Sequence, residues 1–94
     1  MAITEDPEAN EPAALALARV SFSGRRVLEI GCGDGRLTRQ YVHAAASVIA
    51  IDPNREAISR LAAQFPTVDA RAVSFADFEL PPHTVDVALF AWSL

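Results

Sequence analysis

Val27-Leu28-Glu29-Ile30-Gly31-Cys32-Gly33-Asp34-Gly35 is a short apolar run that breaks into glycine at every second position. Such a run reads as a buried strand closing in a tight loop. Arg36 to Val42 follow without a helix breaker, so a helix is expected to start there and to end near Ala46. Glycine suits the loop because it tolerates positive φ and lets the backbone approach a ligand with no Cβ in the way. Amides at a helix start lack intrahelical partners and can meet a polar or anionic group. In a parallel α/β sheet this corner, outside the carboxyl ends of the strands, is the usual ligand crevice.

The glycine spacing narrows the ligand. A dinucleotide fingerprint, G-x-G-x-x-G, would put its third glycine at position 36. Arg36 stands there and the glycine is Gly35, so the pattern is G-x-G-x-G. A P-loop fails too, because no Gly-Lys-Ser/Thr follows and the chain has no lysine. Glu29 to Gly35 instead resembles the first motif of the class I S-adenosylmethionine-dependent methyltransferases. The resemblance covers residues 26–94. It implies an α/β, Rossmann-like three-layer sandwich, with a partial parallel sheet of about four strands in the order 3-2-1-4 and flanking helices.

Downstream, Val48-Ile49-Ala50-Ile51-Asp52-Pro53-Asn54 reads as a second buried strand with a carboxylate at its end. Asp52 lies 21 residues beyond Gly31, the interval at which a βαβ unit sets an acid against ribose hydroxyls. Its plainer role is to end the strand or, with Asn54, to cap the next helix. Ala57, Ile58, Leu61, Ala62 and Phe65 then recur at helical spacing until Pro66. Val68 to Val73 alternates with Asp69 and Arg71, as an edge strand would. Ser74 to Pro82 follows neither period and is expected to be a loop with at most one helical turn. Val85 to Leu94 is a fourth, nearly continuous apolar strand.

Upstream, residues 1–11 are acidic and proline-containing and are expected to form a mobile terminus. Pro12 to Val20 reads as a short lead-in helix. Residues 1–24 are thus tail and lead-in helix, and residues 25–94 the S-adenosylmethionine-binding domain, truncated after its fourth strand. That strand would be an open apolar edge, a place for a second copy or a partner chain to pair.

The net charge of −4 and the scattered arginines argue against a surface built on phosphate contacts, so no nucleic-acid partner is indicated. One cysteine excludes an internal disulfide and fits a reducing compartment. There is no signal peptide and no apolar run long enough to span a bilayer, which gives a cytoplasmic reading without membrane association. No metal set is expected.

The resemblance also implies site residues. It places Glu29, Gly31, Cys32, Gly33, Asp52, Pro53, Asp77, Phe78 and Phe90 around S-adenosylmethionine, with S-adenosylhomocysteine as product. Glu29 would hold the donor's amino group, directly or through water; its plainer role is a charged residue near a strand end. The acid after the third strand followed by a large apolar residue resembles the adenine-recognition segment. There Asp77 would accept from the exocyclic amine, with Glu79 as the rival acid, and Phe78 would offer its amide or pack near the ring. Core filling is the competing role for both loop phenylalanines and the preferred one for Phe75. Phe90 falls at the cofactor-contact position of the fourth-strand motif, and Trp92 borders the substrate or fills the core. Cys32 reads as a small buried residue rather than a reactive thiol. No catalytic residue is named, since nothing pairs His43 or His83 with a nucleophile.

The function implied is methyl transfer from S-adenosylmethionine to a small-molecule acceptor. The alternatives are a non-catalytic cofactor-binding half-domain that needs a partner chain, and an NAD-dependent oxidoreductase, against which Arg36 counts.

Overall fold

The computed structural model describes residues 2–6 and 22–91. The apolar runs form the inner strands Arg26–Ile30 (β2), Ser47–Asp52 (β3) and Val87–Ala91 (β5), and the alternating Asp69–Ala72 (β4) lies at an edge. Parallel strands covered on both faces need apolar residues at consecutive positions, which is why the inner three are mainly apolar, with Glu29 the one buried charged residue of β2. All pairings are parallel, and β4-β3-β2-β5 reproduces the expected order 3-2-1-4.

The amino terminus departs from expectation. Ala2–Asp6 (β1) is a strand, paired in parallel with β5 from Ala2 opposite Val87 to Asp6 opposite Ala91. The sheet therefore has five strands among the described residues, in the order β1-β5-β2-β3-β4. The β5 edge expected to be open is closed by backbone hydrogen bonding from the segment expected to be mobile. The proposed lead-in helix over Pro12 to Val20 lies outside the described residues, as does Trp92.

One face of the sheet buries Val27, Val48, Ala50, Val87 and Leu89 against Phe22, Leu37, Tyr41, Ile58 and Leu61. Both described helices pack there. Arg55–Gln64 (α2) is capped by Asn54, whose side-chain oxygen accepts from the Ala57 amide at 3.1 Å, and it ends before Pro66. Thr38–Tyr41 (α1) is only four residues long, much shorter than the expected helix to Ala46. It lacks a side-chain cap, contains β-branched Thr38, and is flanked by tighter turns such as Gln40 N–H to Leu37 O and Ala44 N–H to Tyr41 O.

The other face buries Leu28, Ile30, Ile51 and Ala88, with Ile49, Val73, Phe78, Leu80, Val85 and Phe90 packed against them. The segment between β4 and β5 supplies this cover and contains a single 3₁₀ turn, Phe75–Asp77. Phe75 does not fill the core: it is 55% exposed, because the turn carries it to the rim, where its ring meets Phe90 edge-on. At the amino ends of β2 and β5, the Arg26 guanidinium donates to both oxygens of Asp86 at 2.9 and 3.1 Å. That pair is solvent-accessible and aligns the strands more than it stabilises them.

Candidate functional site

The sheet register brings most of the expected site residues to one end. Ile30 lies beside Ile51 and Phe90, and Asp52 lies beside Ala72. The glycine loop, Asp52-Pro53, the turn after β4 and Phe90 therefore share the carboxyl end of the sheet.

Within the glycine loop, the Gly31 and Cys32 amides both donate to Ile51 O, at 2.9 and 3.2 Å. The Gly33 amide donates to Asp52 Oδ2 at 2.9 Å, and the Asn54 amide to Asp52 Oδ1 at 2.9 Å. The Gly35 amide closes back on Cys32 O at 3.1 Å. These loop amides are committed to the fold, contrary to the expectation that they meet a ligand. α1 is moreover too short to present a helix terminus. What the loop leaves to a ligand are the remaining lone pairs of Asp52, whose two oxygens each accept one backbone amide.

Asp52 thus joins the glycine loop to the start of α2, a structural role the sequence reading did not assign. The cap of α2 expected from Asp52 with Asn54 is made by the Asn54 side chain, while Asp52 holds the Asn54 amide. Gly33 sits at φ 56, and Gly31 at φ 76 with room for nothing larger: a Cβ there would lie 2.5 Å from Ala91 O.

Glu29 is fully buried. Its Oε1 accepts from Thr38 Oγ1 and from Tyr41 OH, each at 2.6 Å, while Oε2 is buried with no hydrogen-bond partner among the described residues. Burial pushes the Glu29 carboxyl up to about 7, and the two hydroxyls pull in the opposite direction. Thr38 and Tyr41 were not singled out in the sequence. Their spacing of three, on one side of a helical turn, is the signal that pairs them toward one carboxyl.

Past β4, Asp77 is exposed and its Oδ2 accepts from Ser74 Oγ at 3.0 Å. Phe78 is half-buried; its amide closes the 3₁₀ turn on Phe75 O at 3.2 Å, so its ring is what faces the neighbouring residues. The Arg71 guanidinium lies 5.7 Å from the centre of that ring. Phe90 is half-buried and stacks edge-on with Phe75 at 5.6 Å between centroids. Pro53 is exposed beside Asp52.

A family model described as a methyltransferase domain matches residues 27–94, which span the glycine loop, Asp52, the β4 turn and β5. The chain belongs to the class I S-adenosylmethionine-dependent methyltransferases. This methyltransferase domain is 36% identical over 67 residues to a Mycolicibacterium smegmatis protein named a probable S-adenosylmethionine-dependent methyltransferase, covering 71% of the chain and 26% of that protein. It spans about a quarter of the length of the curated relatives it matches.

Among solved structures it superposes on Haemonchus contortus phosphoethanolamine N-methyltransferase 1, a complex with phosphoethanolamine and S-adenosylhomocysteine, with TM-score 0.73 and 18% identity over 87% of the chain and 19% of that protein. It also superposes on the 23S rRNA methyltransferase ErmE, with TM-score 0.68 and 22% identity over 85% of the chain and 35% of that protein. At these identities the likeness is one of fold, and the two acceptors differ.

Cys32 of the methyltransferase domain is buried, and its thiol is pushed well up by burial and by the negative charges of Glu29 and Asp52. It is a packing residue with little thiolate character. His43 and His83 are both exposed, His83 in a left-handed loop conformation at φ 62. A cavity of about 570 Å³ lies away from the glycine loop, between the amino ends of β2 and β5, the rings of Phe75 and Phe78 and the loop that carries Leu80 to Val85. No helix among the described residues is long and apolar enough to cross a membrane.

Proposed function

We propose that the carboxyl end of this sheet binds S-adenosylmethionine and that the protein transfers its methyl group to a small-molecule acceptor. The observation that carries this reading is Asp52, held by two backbone amides beside the glycine loop with lone pairs left for two ribose hydroxyls. The orphaned oxygen of Glu29 fits the donor's amino group. Asp77 would take the adenine amine, Phe78 and Phe90 would pack about the base and the donor, and Cys32, Gly33 and Pro53 would line the nucleoside.

The bound donor supplies an activated methyl on a sulfonium. The residues of this chain would hold the nucleoside and orient that methyl toward the acceptor, so alignment supplies much of the rate. An acceptor of small size is supported by the net charge of −4 and by arginines already tied down, Arg26 to Asp86 and Arg71 to Asp69.

Asp52→Ala tests the nucleoside site. Its affinity for S-adenosylhomocysteine, measured by calorimetry, is expected to fall by about 1 to 3 kcal/mol, with the circular dichroism of the fold retained. Unchanged affinity would remove Asp52 from the site.

A further inference from the structure

The cavity of about 570 Å³ beside the Leu80 to Val85 loop has no part in the cofactor reading. It opens at the amino ends of β2 and β5, whereas the glycine loop follows the carboxyl end of β2, roughly 13 Å away for four steps along a strand. Its apolar wall is Leu28 from β2, Phe75 and Phe78 from the 3₁₀ turn and its end, and Leu80 and Val85 from the loop. Local bonds hold that wall in shape. Pro81 and Pro82 fix φ, the Thr84 hydroxyl donates to Pro81 O, and the Asp86 amide donates to Arg26 O at 2.8 Å. A preformed cavity of this size, mainly apolar with a few polar groups, suits a small organic ligand.

The lining selects the ligand by charge and by ring surface. Arg25, Arg26 and Asp86 all border the cavity, and the Arg26 guanidinium engages both Asp86 oxygens. Arg25 is exposed and makes no side-chain hydrogen bond or ion pair among the described residues, so one positive charge is left over here, on a chain of net charge −4. The Asp86 carboxyl is held low chiefly by its hydrogen bonds from Arg26, and Arg25 adds to that pull, which puts the Arg25 charge at this end of the sheet. A guanidinium meets a carboxylate through two parallel N–H donors. Phe75, a large apolar side chain left exposed, borders the same cavity with Phe78. Aromatic rings pair with further rings edge-on or offset.

We infer that this cavity is a second ligand site that takes a small aryl carboxylate, with the aromatic body against Phe75, Phe78 and Leu80 and the carboxylate paired with the Arg25 guanidinium. The site is separate from the one that would hold the methyl donor, and it stands or falls independently of that reading.

The test is titration of the isotope-labelled 94-residue chain, followed by amide chemical shifts, with three probes. These are 2-naphthoate, the neutral 2-naphthamide of the same shape, and decanoate, an acid without a ring. 2-Naphthoate is expected to bind with a dissociation constant of about 0.1 to 1 mM and to shift the amides of Arg26, Leu28 and Val85 while leaving Gly33 and Asp52 in place. 2-Naphthamide should bind about three- to fivefold more weakly for want of the ion pair, and decanoate about threefold or more for want of the ring. Arg25→Gln is expected to bring 2-naphthoate down to the level of 2-naphthamide and to leave 2-naphthamide unchanged. Its backbone bonds, amide to Phe22 O and carbonyl from the Ala46 amide, do not depend on the side chain. Phe75→Ala, at an exposed position, should weaken both naphthyl probes several-fold and equally.

Shifts centred on the glycine loop and Asp52, equal affinity for the acid and its amide, or no loss with Arg25→Gln would overturn the inference. So would decanoate binding as tightly as 2-naphthoate, or no binding of 2-naphthoate at several millimolar by the folded chain. None of these results bears on the nucleoside site, which S-adenosylhomocysteine probes separately.

Discussion

Gly31→Ala is expected to cost about 3 kcal/mol of stability in urea unfolding, enough to depopulate a marginally stable small domain. Two causes add. An alanine at φ 76 occupies the left-handed region, at about 1 to 2 kcal/mol. Its Cβ would also stand 2.5 Å from Ala91 O, a backbone atom that cannot rotate aside, and forcing β5 away from the loop costs about 1 to 3 kcal/mol. Gly24→Ala separates the two, since Gly24 has φ 69 but nothing within 4 Å of an added Cβ. It should lose only the backbone share. Equal losses at Gly24 and Gly31 would show that the contact with Ala91 does not matter.

Between pH 4.5 and 7 the stability of the chain is expected to fall by about 3 kcal/mol through Glu29, whose carboxyl moves from 4.5 to about 7 on folding. In this window the folded protein holds a proton that the unfolded chain has released, so rising pH favours unfolding. The contribution is fully present below the unfolded value and gone above the folded one. Asp69 and Asp86, held low by Arg71 and Arg26, act in the opposite sense and only toward acid pH. Glu29→Gln keeps the size and cannot ionise. Its urea midpoint should be level with the parent near pH 4.5 and higher above pH 7. A variant that retains the parent's slope would place the titration on another group.

The core strands were legible because parallel burial forces continuous apolar runs, and β2 runs from Arg26 to Ile30 as the pattern indicates. α2 was legible from Asn54 and Pro66, whose effects are local. β1 was not: Ala2 to Asp6 carries no strand periodicity, and its conformation comes from backbone pairing with β5 far along the chain. Phe75 was misplaced for a related reason, since an irregular turn has no period from which to read exposure. At the site, the positions of Glu29 and Asp52 were readable from spacing. The partners of Glu29 and the amides held by Asp52 depend on how α1 and the loops pack on the sheet, and neither follows from spacing along the chain.

The most direct test of the central claim is calorimetric titration of the folded chain with S-adenosylhomocysteine, with NADH as the control ligand. Binding of S-adenosylhomocysteine and not NADH is the predicted result. A chain that is folded by circular dichroism yet binds NADH, or binds neither, would contradict it.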